Sequence, residues 1–140
     1  MNKAKLYQYY VLKTPCNKIT FEDFLNEFFI MLKQDQNKRI LIIMDNLPFH
    51  HATNIYSLIC FYGHQVIFLP PYSPQFNPIE NLFSQWKNIV RQCNPKNEKE
   101  LFEAINSINN HLTSEQCSNY VQHAVHNMLK CLNNEDMNQY

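Results

Sequence analysis

Glycine is almost missing from this sequence, which has only Gly63 among its 140 residues. P-loops and dinucleotide-binding turns need several glycines, because there the backbone itself must approach a phosphate closely. The near absence of glycine therefore excludes NTPases and Rossmann-type dinucleotide-binding proteins. A basic excess is also missing, since 12 Lys and Arg residues are balanced by 12 Asp and Glu. Any contact with nucleic acid must then be confined to a local surface.

Long apolar segments and paired cysteines are missing too. No apolar run approaches the roughly 20 residues that cross a bilayer, and the N-terminus lacks the apolar core of a secretion signal. The five cysteines are scattered without a CxxC pair, which predicts free thiols in a reducing compartment. We therefore expect a protein that is neither membrane-bound nor secreted. Its expected location is the nucleus in a eukaryotic host and the cytoplasm otherwise.

The first third of the chain predicts one strand followed by one helix. Residues 5–13, rich in Tyr and Leu, predict a strand that stops before Pro15. Apolar residues at helical spacing from Phe21 to Leu32 predict an amphipathic helix with Thr20 as its N-cap.

The next segment predicts a parallel pair of strands. The continuous apolar runs Ile40–Met44 and Val66–Leu69 are typical of strands buried on both faces. Between them, residues 52–62 predict a helix that ends at Gly63 in the left-handed conformation. The order strand, helix, strand places Asp45 at the carboxyl end of the first of these strands.

The C-terminal half is predicted to be helical. The stretch PPYSPQFNP is stiff and cannot pair in a sheet, so it predicts a loop of defined shape. It leads into a helix with Asn77 as N-cap, Pro78 at the first position and Glu80 at the third. A further helix begins after Asn97 and continues as far as Leu112, and a last one covers about Ser114 to Leu132. We expect one domain over residues 1–132 and a frayed tail over residues 133–140.

Two carboxylates in this pattern suggest chemistry. Asp45 follows a strand, and ligand sites in open α/β sheets form beyond the carboxyl ends of strands. The rigid loop is expected to bring Glu80 close to it, and such a pair would suit Mg²⁺ and phosphoryl transfer. Two structural alternatives stay open. Glu80 also fits the third position of a capping box, and Asp45 fits a residue that caps the next turn.

One flank of the helix that begins at Pro78 carries two basic side chains. At 100° per residue, Ser84, Lys87 and Arg91 share this flank with Glu80. Lys87 and Arg91 are therefore candidates for contacts with DNA phosphates. A merely solvated helix face explains the same pattern, and this alternative also stays open.

The segments IMDNLPFHHA (43–52) and FLPPYSPQFNPIENLFSQWK (68–87) resemble the catalytic core of mariner-type transposases and their bacterial insertion-sequence relatives. Asp45 and Glu80 are separated by 34 residues, the spacing of the second and third catalytic acids in much of that DDE family. The resemblance implies a ribonuclease H-like mixed sheet with flanking helices. It also implies that Asp45 and Glu80 bind Mg²⁺ or Mn²⁺, with His50 in an orienting or structural role.

The resemblance assigns supporting roles as well. Asn46, directly after Asp45, is given a supporting role, and Asn77 matches the motif that positions the glutamate. Trp86 matches an aromatic residue of the helix and is expected in the core. The family's first catalytic aspartate lies on a strand that precedes the region matched by residues 5–13. The acidic residues before Asp45 (Glu22, Asp23, Glu27 and Asp35) do not fall in a predicted strand. We therefore expect an N-terminally truncated domain that does not cut DNA alone, because one carboxylate bridges both ions in a two-metal mechanism.

Two classes of function follow from the resemblance. In the first, the chain is part of an endonuclease that cleaves and joins DNA at transposon ends, with a full-length transposase or a second copy as partner. In the second, it is a non-catalytic remnant or interaction module. The family's helix-turn-helix region is missing, so specific DNA recognition is not expected from this chain alone. Cys117, His123, His126 and Cys131 do not have the spacing of a standard zinc site. No nucleophile motif accompanies His50 and His51.

Overall fold

The structure is a computed structural model that describes residues 1–2, 4–35 and 39–133. The chain divides into two units, which we call the strand unit (Tyr7–Ser73) and the helical unit (Met1–Leu6 with Pro74–Tyr140). The described fold is mixed α/β and mostly helical. No helix among the described residues is both long enough and apolar enough to pass through a bilayer.

The described residues of the strand unit form two helices, a short 3₁₀ helix and a two-stranded parallel sheet. Its elements in chain order are α1 (Lys18–Asp35), β1 (Leu41–Met44), the 3₁₀ helix Pro48–His51, α2 (Thr53–Phe61) and β2 (Gln65–Phe68). The register pairs Leu41 with Gln65 and Met44 with Phe68. The predicted parallel pair is thereby confirmed. Gly63 has φ 77°, the left-handed conformation expected where α2 ends.

The sheet contradicts the prediction that both of its faces are buried. Met44 is 7% exposed and belongs to the core with residues of α1 and α2 such as Phe29 and Ile59. On the opposite face Ile43 is 49% exposed and Ile67 is 51% exposed. Because side chains alternate between the faces of a strand, the two helices bury only one set. A continuous apolar run in the sequence therefore does not by itself mean that both faces of the strand are buried.

The predicted strand over residues 5–13 is wrong, because none of these residues is in a strand. A strand needs a neighbour that completes its hydrogen-bond ladder, and this segment packs on α1 instead. The ring of Tyr7 meets Phe28 edge-on at 5.9 Å between centroids, and Tyr10 meets Phe24 at 5.0 Å. The aromatic residues that suggested a strand are thus used in ring packing.

The prediction of Thr20 as an N-cap is also wrong. The helix α1 begins at Lys18, and Asn17 Oδ1 accepts a hydrogen bond from the backbone N–H of Thr20 at 3.0 Å. Asn17 is therefore the residue that satisfies a free N–H at the start of this helix.

From Pro74 onward, the described residues of the helical unit form the 3₁₀ helix Pro74–Phe76 and then four helices. These are α3 (Pro78–Cys93), α4 (Glu98–Asn106), the short α5 (Ile108–His111) and α6 (Ser114–Leu132). The helix predicted to continue to Leu112 is interrupted at Ser107, whose Oγ donates to the carbonyl of Ala104 at 2.7 Å. Serine competes in this way with the helical hydrogen bonds. Of the predicted frayed tail, residues 134–140 lie outside the described residues.

The core of the helical unit is formed where α6 and α4 pack on α3. Buried side chains there include Leu82 and Ile89 of α3, Ile108 of α5, and Cys117 and Ala124 of α6. Trp86 donates from Nε1 to the carbonyl of Ile105 at 2.8 Å, which ties α3 to α4. Trp86 was expected to be a core residue. It is only partly buried, and its indole N–H is hydrogen-bonded.

Candidate active site

Asp45 follows the last residue of β1, at the carboxyl edge of the parallel pair. At that edge the backbone N–H of Leu69 donates to the carbonyl of Met44 at 2.8 Å. β1 and β2 are therefore still neighbours at the point where each strand ends. The Asp45 side chain is 44% exposed, so its carboxylate is accessible at the sheet edge where ligands of open α/β proteins bind.

A buried histidine holds this carboxylate. His50 Nδ1 lies 2.8 Å from Asp45 Oδ1 and 3.0 Å from the backbone oxygen of the same residue. The 3₁₀ helix after β1 turns the chain back, with the His50 N–H donating to the carbonyl of Leu47 at 3.0 Å. The His50 side chain is only 10% exposed, and its ring lies against Phe21 at 4.5 Å between centroids. A proton on Nδ1 would be shared between Oδ1 and the backbone carbonyl oxygen of Asp45. This sharing would fix the direction of the carboxylate.

Asn46, predicted to support Asp45, is the exposed residue directly after it. The side chain of His51 lies outside what the structure describes. Of the two adjacent histidines, the structure therefore describes contacts of the His50 side chain only. The alternative in which Asp45 caps the next turn would use a backbone N–H as partner. The partner of Asp45 Oδ1 is instead the imidazole of His50.

Glu80 lies in the first turn of α3, in the helical unit. The turn is built as predicted, because Asn77 Oδ1 accepts from the N–H of Ile79 at 3.2 Å and Pro78 stands at the first helical position. The N–H of Asn77 donates to the carbonyl of Pro74 at 3.0 Å, which links the cap to the preceding 3₁₀ helix. Glu80 is exposed, and an anion is favoured at this end of a helix.

The capping-box alternative can be compared with two helices of the same unit. Gln116 Oε1 accepts from the N–H of its N-cap residue Thr113 at 2.9 Å, and Glu100 Oε2 accepts from the N–H of Lys96, the residue before its N-cap Asn97, at 2.7 Å. Within the described part of the chain, no such bond is formed by the side chain of Glu80. Its carboxylate is therefore available to a ligand in a way that the side chains of Glu100 and Gln116 are not.

The basic flank of α3 is exposed as expected. Ser84, Lys87 and Arg91 all face solvent. Among the described residues neither Lys87 nor Arg91 makes an ion pair with a carboxylate. Their charges are therefore not neutralised by neighbouring side chains that the structure describes.

Two residues near the acids were given no role by the sequence. Asn127 is buried in α6, and its Nδ2 donates to the carbonyl of Gln75 at 3.1 Å, in the turn that leads to Glu80. The sequence could have indicated this role, because Asn127 is a polar residue on the apolar stripe of α6. Tyr72 is fully exposed and has φ 55°, in a turn directly after Pro71. The preceding proline was the available sign there.

The Cys and His cluster of α6 gives no metal centre in the structure. Among the described residues no group of three or more His, Cys, Asp or Glu side chains could hold a metal ion. Cys117 is fully buried, and desolvation raises the pKa of its thiol, which favours the protonated form over the thiolate that binds metals.

Comparison with known protein families gives a match over most of the chain. The family described as DDE superfamily endonuclease matches residues 1–102, well over half of the chain. The match includes Asp45, His50 and Glu80 and ends within α4. A search among curated protein sequences finds no significant match. The chain belongs to the DDE superfamily of endonucleases.

Proposed function

We propose that Asp45 and Glu80 are the second and third acids of a DDE-type active site that cleaves DNA and transfers strands at transposon ends. The observation that carries this proposal is the contact of buried His50 with Asp45 at 2.8 Å. A carboxylate that only solubilises a loop needs no buried partner. One that must present its oxygens in a fixed direction is helped by such a partner.

The donor set suits a hard divalent cation. Asp45 and Glu80 offer carboxylate oxygens, which Mg²⁺ and Mn²⁺ prefer, and both side chains are accessible. When bound, the ion would lower the pKa of a water molecule and neutralise charge on the phosphate. The protein's own contribution is to hold the two carboxylates. His50 orients Asp45, and Asn77 fixes the first turn of the helix that carries Glu80.

We also propose the type of fold and the group within the DDE superfamily. A parallel strand pair with an acid at its carboxyl edge and helices packed on one face supports a ribonuclease H-like fold. The 34-residue spacing of the two acids supports the mariner-type group. Such a protein would act in the nucleus of a eukaryotic host, or in the cytoplasm otherwise, with a full-length transposase or a second copy as partner.

Lys87 and Arg91 are proposed to contact DNA phosphates beside Glu80. Their charges are exposed and unpaired among the described residues, which is the electrostatic requirement for a phosphate contact. Asn46 is proposed to support Asp45 from the next position along the chain. Replacing Lys87 and Arg91 by Gln should weaken DNA binding for all sequences alike and reduce its dependence on salt by about one counterion per residue.

Metal titration tests the two acids directly. We expect Mn²⁺ to bind weakly to the purified chain in a calorimetric titration, and Asp45→Asn or Glu80→Gln to abolish that binding. Glu98→Gln is the matched control, because Glu98 is also an acid in the first turn of a helix. Equal Mn²⁺ binding by Asp45→Asn and the unmodified chain would overturn the assignment.

A non-catalytic role for the isolated chain is the second candidate. The DDE mechanism requires a third carboxylate, and Glu22, Asp23 and Glu27 all lie on α1 rather than on a strand. We therefore expect this chain alone not to nick supercoiled plasmid in Mn²⁺. A longer reading frame that adds a strand bearing an aspartate upstream should restore nicking. If the longer protein is also inactive, the remnant or interaction role is favoured.

A further inference from the structure

Tyr72 combines two features that are rarely found together. Its side chain is 100% exposed, and its backbone has φ 55° in the left-handed region. A tyrosine that contributes to a core would be buried, and a tyrosine chosen only to fill a surface turn would avoid positive φ. The exposure and the backbone geometry together indicate that the ring serves a contact outside the described chain.

The turn itself would fold more easily with another residue. Proline at the second position of a tight turn and positive φ at the third is the type II pattern, in which glycine is favoured at the third position. Here Pro71 is followed by Tyr72, and Ser73 Oγ donates to the carbonyl of Pro71 at 3.1 Å. A side chain at positive φ strains the backbone, and such strain is concentrated at functional sites.

The turn lies at the same edge of the sheet as Asp45. Leu69 is buried and its N–H is bonded to Met44, the residue before Asp45. Tyr72 follows Leu69 by three residues, so its Cα lies at most about 11 Å from that of Leu69. This upper limit equals roughly three base steps of about 3.4 Å each along a DNA strand.

We propose that Tyr72 stacks on a DNA base close to the phosphodiester group that Asp45 serves. This inference rests on the proposed function, because it takes the carboxyl edge of the sheet as the place where DNA is bound. An exposed neutral ring stacks on the face of any base, and such platforms bind single strands with little sequence preference. Pro71 and Pro74, on either side of the Tyr72–Ser73 pair, restrict the backbone that carries the ring.

The experiment measures binding of a fluorescein-labelled single-stranded oligonucleotide at low salt in EDTA, without added metal. Tyr72→Gly removes the ring and also relieves the positive φ. We expect its thermal midpoint to rise by a few degrees while its DNA affinity falls by roughly tenfold. Tyr72→Phe keeps the ring and should bind like the unmodified chain. Tyr56→Ala is the control, because Tyr56 is 56% exposed on α2.

A second readout reports stacking itself. An oligonucleotide containing 2-aminopurine should lose fluorescence on binding to the unmodified chain and to Tyr72→Phe, and should lose much less with Tyr72→Gly. Unchanged affinity and unchanged quenching in Tyr72→Gly would overturn the inference, as would the absence of any DNA binding by the unmodified chain. Self-association that is lost in Tyr72→Gly, with DNA affinity unchanged, would assign the ring to a protein interface instead.

Failure of this inference is distinct from failure of the proposed function. The metal titration with Asp45→Asn concerns Mn²⁺ and involves no DNA, whereas the Tyr72 measurement concerns DNA and involves no metal. If Asp45→Asn abolishes Mn²⁺ binding while Tyr72→Gly has no effect on DNA, only the role of Tyr72 is refuted.

Discussion

His50 Nδ1 lies 2.8 Å from Asp45 Oδ1, and the same nitrogen lies 3.0 Å from the backbone oxygen of Asp45. The imidazole cannot turn away easily, because it is buried and packed against Phe21. The direction of the Asp45 carboxylate is therefore determined by packing in the strand unit. On the proposed function, we expect His50 to act by positioning Asp45, because its imidazole contacts that acid.

Replacing His50 by Ala should weaken metal binding while Asp45 itself is still present. Loss of a residue that orients a metal ligand typically reduces metal affinity by about 10–100-fold. The buried position also predicts a loss of about 1–3 kcal/mol in the free energy of unfolding. Calorimetric titration with Mn²⁺ and urea denaturation measure the two effects. His111→Ala, at an exposed position in α5, is the control. A folded His50→Ala chain with undiminished Mn²⁺ affinity would show that His50 does not position Asp45.

The two asparagine caps provide a matched test for Glu80. Asn77 caps α3 through the N–H of Ile79, and Asn97 caps α4 through the N–H of Glu100. Each Asn→Ala change should lower the free energy of unfolding by about 0.5–2 kcal/mol. Only Asn77→Ala should also weaken Mn²⁺ binding, because only α3 carries Glu80. Equal Mn²⁺ affinity in both variants would separate the cap from the site.

The start of α3 and the end of α2 could be predicted because they depend on neighbouring residues. Asn77, Pro78 and Glu80 define the start of α3 within four positions, and Gly63 marks the end of α2 by its positive φ. The contact of His50 with Asp45 spans only five positions, yet it depends on a 3₁₀ turn and on Phe21 in α1. The resemblance to the family implied an orienting or structural role for His50. It did not indicate which atom of Asp45 the imidazole contacts.

Two of the errors concern what a segment packs against. Residues 5–13 have the composition of a strand, but their aromatic rings pack on α1 and no ladder forms. A strand depends on a neighbour that can lie far away in the sequence, whereas a helix satisfies its own backbone. The run Ile40–Met44 was likewise expected to be covered on both faces, and coverage is decided by elements elsewhere in the chain.

The unequal faces of β1 give a third prediction. Ile43 is 49% exposed and Met44 is 7% exposed, although they are neighbours in one apolar run. Ile43→Thr should change the free energy of unfolding by less than about 1 kcal/mol, since Thr also favours strands. Met44→Thr should lower it by about 2–4 kcal/mol, because it leaves a cavity and buries a hydroxyl group. Urea denaturation followed by circular dichroism distinguishes the two. Similar large losses would mean that both faces are covered, as the sequence first suggested.

His64 predicts how stability depends on pH. Its side chain is buried beside the ring of Phe29, and its Nδ1 accepts from the backbone N–H of Ile40 at 3.4 Å. Burial, and then the nearby charge of Arg39, lowers its pKa below the ordinary value of 6.5. The unfolded chain therefore binds a proton more readily than the folded chain. The stabilisation from neutral His64 is complete above the unfolded pKa, and it is lost as pH falls from there towards the folded pKa.

We accordingly expect the urea midpoint to be lower at about pH 5.5 than at about pH 7.5, the range in which histidine titrates. His64→Gln removes the titrating group, so its midpoint should fall by less over the same interval, even if it starts lower at neutral pH. His126→Gln, at an exposed position in α6, should follow the unmodified chain. A His64→Gln chain that loses as much stability on acidification as the unmodified chain would mean that other groups cause the dependence, because His64 is then no longer available to take up the proton.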